Sequence, residues 1–101
     1  MKRLERQVAI VTGAGRGIGR AIALALAAEG AHVTLCSRTR TELDAVATEI
    51  QQIGGQALVV VADLTNDQQV NGMVEETLAR FGAIHMLVNN AGGVPSERYA
   101  A

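Results

Sequence analysis

The feature that most constrains this chain is an apolar run that passes into a cluster of glycines at residues 8–19. The run from Val8 to Val11 has strand character, four glycines follow at alternating positions, and an apolar helical segment comes next. Glycine can turn the backbone at positive φ and lets a ligand approach the main chain closely. A strand, a glycine turn and a helix N-terminus together point backbone N–H groups and the positive end of a helix dipole at one place. Such a place suits a pyrophosphate.

The glycine spacing decides which known form of this turn is present. The pattern G-x-G-x-x-G fails from Gly13, because Ile18 stands at its last position, and from Gly15, because it reaches Arg20. The pattern T-G-x-x-x-G-I-G fits instead, and it is filled by Thr12, Gly13, Gly17, Ile18 and Gly19. On these residues the chain resembles the short-chain dehydrogenase/reductase family, whose cofactor loop has this form. The motif alone leaves open a glycine turn that binds nothing.

Segments of strand and helix character alternate along the rest of the chain. The pattern predicts strands at 7–11, 32–36, 56–62 and 84–88, with helices at 17–29, 39–53 and 65–81 between them. This alternation favours right-handed crossover units and a parallel sheet. We therefore expect an α/β fold, the N-terminal part of a Rossmann-like doubly wound sheet in one partial domain over 1–101. The expected strand order is 3-2-1-4, with the ligand crevice at the carboxyl ends of strands 1 and 4.

Local signals predict how the helices begin and which sides they bury. The pairs Thr39 with Glu42, and Thr65 with Gln68, fit the S/T-x-x-E/Q capping box. The expected inward side of the first helix consists of Ile18, Ile22, Ala25 and Leu26. The expected apolar face of the third helix consists of Val70, Val74, Thr77, Leu78 and Phe81.

The end of the second strand bears on which dinucleotide fits. A carboxylate about 20 residues past the glycines would hold the ribose 2′-OH of NAD, but Ser37 and Arg38 stand there. A 2′-phosphate prefers a hydroxyl donor and a cation, and arginine can bind it through two N–H groups. Arg16 in the glycine loop could approach the same phosphate. In the family resembled, basic residues at these two places mark NADP preference, so NADP is the expected cofactor and NAD the less favoured one.

Two further motifs extend the resemblance over nearly the whole chain. The triplet Asp63-Leu64-Thr65 matches a family pattern whose acid hydrogen-bonds the adenine amino group, and 89–92 matches the N-N-A-G motif after strand 4. Small residues there let the backbone lie close to the cofactor ribose. The candidate cofactor-binding residues are Gly13, Gly15, Arg16, Gly17, Ile18, Gly19, Ser37, Arg38, Asp63, Leu64, Asn90, Ala91 and Gly92.

The resemblance implies hydride transfer between NADP(H) and an alcohol or carbonyl substrate, with a catalytic Ser and a Tyr-x-x-x-Lys pair beyond N-N-A-G. Tyr99 has no Lys four residues on and Ser96 is a loop serine, so neither is assigned a catalytic role. We expect the cofactor portion of an oxidoreductase, inactive by itself, whose substrate the residues do not indicate. One alternative is a non-catalytic nucleotide-binding remnant. Another is an S-adenosylmethionine-dependent methyltransferase, which Ser37-Arg38 disfavours.

Composition limits the other partners. A formal net charge of −1 gives no reason to invoke nucleic acid or an anionic membrane, and no apolar run approaches the roughly 20 residues that span a bilayer. The only cysteine, Cys36, is expected to fill a buried strand in a reducing, cytoplasmic compartment. His32 and His85 are expected to be strand-edge residues, not metal ligands. The fourth strand is expected to leave an apolar edge through which chains self-associate.

Overall fold

The computed structural model describes residues 2–90, which form one four-stranded parallel sheet with three helices. The elements alternate in the order β1 (Val8–Thr12), α1 (Gly17–Ala28), β2 (His32–Ser37), α2 (Arg40–Gln52), β3 (Gln56–Val61), α3 (Asp67–Phe81) and β4 (Met86–Val88). The strands lie in the order β3-β2-β1-β4. The predicted α/β Rossmann-like fold and its 3-2-1-4 order are therefore confirmed.

Successive side chains of each strand point to opposite faces of the sheet, so the strands supply two cores. On one face, Val11 and Leu35 pack with small residues of α1 and with apolar residues of α2 such as Leu43. On the other face, Ile10 and Cys36 pack with residues of α3. Both faces are apolar because parallel strands are covered by helices on both sides.

The inward side of α1 agrees with the prediction only in part, because Ile22 and Leu26 pack partly buried against the core but the fully buried residues are others. Its buried residues are Gly19, Ala23 and Ala27, which stand four residues apart, whereas Ile18 is 71% exposed and Ala25 is also exposed. Small side chains let the helix lie close to the sheet. Hydrophobicity alone was wrong for Ile18 and Ala25 because it does not account for how closely the helix must approach.

Two predicted helix starts also need correction. The N-cap of α3 is Asn66, whose side chain accepts a hydrogen bond from the Gln69 N–H, so the predicted Thr65–Gln68 box is wrong by one residue. Thr65 instead donates to Asp63. Thr39 stands at the N-cap of α2, as predicted, but its side chain makes no capping hydrogen bond.

The buried residues of α3 are Met73 and Thr77, and Val70 packs partly buried against the same core. The prediction is therefore confirmed for Thr77 and Val70, whereas Leu78 is 45% exposed, contrary to the prediction. Thr77 donates to the Met73 carbonyl at 2.8 Å, and its hydroxyl oxygen lies 2.9 Å from that of Thr34 on β2. Because the Thr77 proton is engaged, Thr34 is the donor in this pair. The α3 helix is thus fixed to the sheet by a buried polar contact as well as by apolar packing.

The fourth strand is shorter than predicted, with Ile84 preceding it. β4 pairs with β1 and with no other strand of residues 2–90. His85 extends this pairing, because its N–H donates to the Val8 carbonyl at 2.8 Å and its Nδ1 accepts from the Val8 N–H at 2.9 Å. Leu87 is 57% exposed and lines an apolar groove between the sheet and α3. Within residues 2–90, no helix has the length and apolar character needed to cross a membrane.

Candidate functional site

The loops that carry the predicted site residues lie side by side at the carboxyl edge of the sheet. The parallel register brings Thr12 of β1 beside Cys36 of β2, and Cys36 beside Val60 of β3. Hydrogen bonds join the loops beyond the strands: Ala14 N–H donates to the Cys36 carbonyl at 3.3 Å, and Ala62 N–H donates to the Ser37 carbonyl at 3.0 Å. The three segments after β1, β2 and β3 therefore form one continuous edge.

The glycine loop has a shape that side chains would disrupt. Gly13 and Gly17 have φ values of 62° and 60°, in the left-handed region that favours glycine. A Cβ on Gly19 would lie only 2.0 Å from the Gly13 carbonyl oxygen, so the loop and the first turn of α1 are in tight contact. A Cβ on Gly17 would meet nothing within 4 Å among the described residues, so the backbone is open on that side.

The N-terminus of α1 is suited to an anion. Arg16 is the N-cap, and its side chain makes no capping hydrogen bond to the first N–H groups of the helix. The first N–H groups of any helix lack intrahelical acceptors, and the helix dipole favours negative charge near them. The open backbone of the loop and these N–H groups fit the pyrophosphate of a dinucleotide.

Thr12 is the residue that connects this loop with the end of β4. Its hydroxyl oxygen accepts from the Asn90 N–H at 2.9 Å and lies 3.3 Å from the Val88 carbonyl and 3.2 Å from Asn89 Oδ1. The Asn90 side chain lies over α1, with its Nδ2 only 2.7 Å from the position of a Cβ on Gly19. Thr12 was not among the candidate residues, although the Thr of the T-G-x-x-x-G-I-G motif was the available signal.

Asp63 is held in a defined orientation at the end of β3. Its Oδ1 accepts from the Thr65 N–H at 2.9 Å and from the Thr65 hydroxyl at 2.7 Å. These two hydrogen bonds, aided by the charge of Arg38, lower the pKa of the Asp63 carboxyl below its ordinary value. The structure therefore places an ionised, oriented acceptor at this edge, and the cation Arg38 near it.

The other predicted site residues differ in what they present. Leu64 is buried in the core under α3, so only its main chain is available to a ligand at this edge. Ile18 is exposed next to the glycine loop. Ser37 accepts a hydrogen bond from the Thr39 N–H at 3.2 Å through its hydroxyl oxygen. Ala91 and Gly92 lie outside the described residues.

Glu42 lies next to the glycine loop, a position that the sequence reasoning missed because it assigned Glu42 to the capping box of α2. A Cβ on Gly15 would lie 2.8 Å from Glu42 Cβ, 3.0 Å from Glu42 Oε1 and 3.6 Å from Ser37 Oγ. The carboxylate of Glu42 is thus in contact with the glycine loop and adjacent to the end of β2. Sequence spacing gave no signal for this, because a pattern within the first turn of α2 does not show which distant loop that turn packs against.

The cysteine and histidines do not form a second site among residues 2–90. No group of three or more His, Cys, Asp or Glu in this range could hold a metal ion. Cys36 is buried, and loss of solvation raises the pKa of its thiol to about 11. A thiol with a raised pKa is a poor nucleophile at neutral pH, which fits a packing role for Cys36.

The fold and this edge define an α/β protein of the Rossmann type. The family model for short chain dehydrogenase matches residues 7–100, and the chain belongs to that family of oxidoreductases. A curated relative, the 3-oxoacyl-[acyl-carrier-protein] reductase of Synechocystis, is 48% identical over 93 residues, which cover 91% of this chain and 38% of the relative. Family membership removes the methyltransferase alternative.

Solved structures agree with this assignment. A 7α-hydroxysteroid dehydrogenase in complex with NADH and 7-oxo glycochenodeoxycholic acid superimposes with a TM-score of 0.88 at 41% identity, covering 90% of this chain and 36% of that one. A metagenomic short-chain oxidoreductase in complex with NADP gives 0.85 at 45% identity, covering 88% and 40%. The chain spans 17–38% of the length of the curated relatives compared with it. A nicotinamide cofactor is thus supported, with examples of both kinds among the neighbours.

Proposed function

We propose that these residues form the NADP(H)-binding part of a short-chain oxidoreductase that transfers hydride between NADP(H) and an alcohol or carbonyl substrate. In this proposal the glycine loop and the N-terminus of α1 hold the pyrophosphate, Asp63 accepts from the adenine amino group, and the backbone around Asn90 lies along the ribose. The cofactor supplies the hydride chemistry when it is bound. The protein residues bind and orient it.

The observation that carries the NADP preference is the pair of exposed arginines at the carboxyl edge. Arg16 lies in the glycine loop and Arg38 follows β2 directly, and within residues 2–90 neither forms a salt bridge. Both guanidinium groups are therefore available to a dianionic 2′-phosphate. Ser37 keeps its hydroxyl proton for the same phosphate, because its oxygen acts as the acceptor toward Thr39.

Calorimetric titration of NADP⁺ and NAD⁺ into the wild-type protein and an Arg38→Gln variant tests this proposal. A hydrogen bond to a charged group contributes about 1.5–3 kcal/mol, so we expect Arg38→Gln to weaken NADP⁺ binding by about ten- to a hundredfold and NAD⁺ binding by much less. Arg40→Gln is the matched control, because Arg40 is also exposed but lies beside Asp44, 3.9 Å away. Equal affinity of the wild type for the two cofactors would refute the NADP preference.

We also propose that the proton donor for turnover is not among these 101 residues, since they contain no Tyr-x-x-x-Lys pair. The 101-residue chain by itself should give no NADP-linked absorbance change with a panel of alcohols and ketones. Turnover by this chain would contradict the proposal, and its loss in Tyr99→Phe would identify the residue responsible. A cytoplasmic location is the remaining part of the proposal, supported by a sequence whose single cysteine, Cys36, indicates no disulfide framework.

A further inference from the structure

A carboxylate stands in the part of the site where the sequence offers none. The end of β2 carries Ser37 and Arg38 in place of the acid that would hold a ribose 2′-OH. The first turn of α2 nevertheless brings Glu42 to the glycine loop near the end of β2, with its Oε1 3.0 Å from the position of a Cβ on Gly15, and Ser37 Oγ 3.6 Å from the same position. The tertiary fold thus supplies an acid from a different position in the sequence.

Glu42 lies near the two segments that carry the arginines Arg16 and Arg38, so its charge bears on how they bind a ligand. Gly15 directly precedes Arg16 and Ser37 directly precedes Arg38, and the position of a Cβ on Gly15 lies 3.0 Å from Glu42 Oε1 and 3.6 Å from Ser37 Oγ. Glu42 is half-buried, and it forms no hydrogen bond or ion pair that would neutralise it within residues 2–90. Its negative charge therefore lies close to the backbone of the glycine loop, at the residue that precedes Arg16.

We propose that Glu42 is a specificity-determining residue that opposes the cofactor 2′-phosphate and so limits the preference for NADP(H) over NAD(H). The inference rests on the proposed dinucleotide site. A 2′-phosphate carries more negative charge than the 2′-hydroxyl that it replaces, so a nearby carboxylate penalises NADP(H) and not NAD(H). The same carboxylate can accept a hydrogen bond from the 2′-hydroxyl, which acts in the same direction.

The test is the ratio of affinities for the phosphorylated and unphosphorylated ligands in the wild type and in Glu42→Gln. Glutamine keeps the Cβ that contacts Gly15 and removes only the charge. Calorimetry with NADP⁺ and NAD⁺, and with adenosine 2′,5′-bisphosphate and AMP, measures the ratio for whole cofactors and for their adenosine ends. We expect the ratio to rise about three- to tenfold in favour of the 2′-phosphorylated ligand, and the gain to shrink at high salt because the opposing charge is partly exposed.

Asp44→Asn is the matched control, because Asp44 lies on the same helix but is exposed and pairs with Arg40. It should leave the ratio within about twofold of the wild type. A ratio that Glu42→Gln leaves unchanged overturns the inference, as does an equal change for both members of each pair, which would indicate a purely structural role.

The experiment distinguishes failure of this inference from failure of the proposed NADP preference. A wild type that prefers NAD⁺ refutes that proposal, while a ratio that still rises in Glu42→Gln supports this inference. Absence of binding by all four ligands refutes the dinucleotide site and this inference with it.

Discussion

Replacing Gly19 by alanine is the most discriminating single test of the glycine loop. Gly19 lies in the first turn of α1, where alanine would ordinarily improve a helix by about 1 kcal/mol. In this structure the added Cβ would lie 2.0 Å from the Gly13 carbonyl oxygen and 2.7 Å from the Gly13 carbonyl carbon. Both contacts are with backbone, so no side-chain rotation relieves them.

The size of the effect follows from those distances. Non-bonded carbon contacts are most favourable at about 3.5–4.0 Å, so α1 and the loop must separate by more than about 1 Å. Overpacking of this kind costs about 1–3 kcal/mol, and we expect the upper end because the Asn90 side chain is also displaced. The separation would move the N–H groups of α1 away from the loop, and cofactor affinity should fall by more than about tenfold.

Gly72→Ala provides the matched comparison, since Gly72 lies in the interior of α3 and a Cβ there would meet nothing within 4 Å in the described part of the chain. It should raise stability by about 0.5–1 kcal/mol. Urea unfolding of both variants should therefore give changes of opposite sign that differ by about 4 kcal/mol. A Gly19→Ala protein as stable as the wild type, with unchanged affinity for the cofactor, would refute the argument from the close loop–helix contact.

Three other expected outcomes concern the rest of the molecule. Thr77→Val should destabilise the fold by about 1–3 kcal/mol, because it leaves the buried Thr34 hydroxyl without its acceptor. Thr34→Val should lower the free energy of unfolding by less, and equal losses for the two variants in urea unfolding would contradict this argument. The folded-state pKa of Asp63 is lowered, so its contribution to stability is present above the ordinary value of 3.8 and is lost as the pH falls through the folded value. Carboxyl NMR titration should place its midpoint below 3.8. If chains self-associate through the β4 edge, Leu87→Lys should reduce that association, as measured by light scattering. Association that Leu87→Lys leaves unchanged would contradict the expectation that the β4 edge is the contact surface.

The fold was largely predictable because its signals are local and repeated. Apolar runs of strand length alternate with helical segments, and Gly30 and Gly82 end α1 and α3 at positive φ. The errors in the predicted helix starts lie where two neighbouring residues could each serve as the N-cap. Thr65 and Asn66 are both good N-cap residues, and Asn66 became the cap because Thr65 is held by Asp63. A sequence pattern cannot show that competition.

The errors in predicting which residues of α1 are buried have a different cause, which is how closely the backbone of the helix approaches the glycine loop. The sequence suggests that large apolar residues face the core, yet α1 buries Gly19, Ala23 and Ala27. The contact of Gly19 with the Gly13 carbonyl explains the choice, because a helix that begins directly against its own loop has no room for a larger side chain on that side. Hydrophobicity ranks Ile18 above Gly19, and only the backbone geometry reverses the order.

In the candidate site, too, the features that depend on residues adjacent in sequence could be predicted, and those that depend on tertiary contacts could not. Residues that follow one another along the chain, such as Ser37 and Arg38, can be assigned to an edge from the strand pattern alone. The sequence places Glu42 in a helix cap and assigns it a local partner, but Thr39 makes no side-chain capping bond, and the carboxylate lies against Gly15, which is 27 positions earlier in the sequence. In the site as proposed, cofactor choice depends on two charges that sequence spacing reveals, Arg16 and Arg38, and on one that it hides, Glu42. If Glu42 opposes the two arginines as proposed, a prediction of the cofactor from the end of β2 alone overstates how strongly the site discriminates.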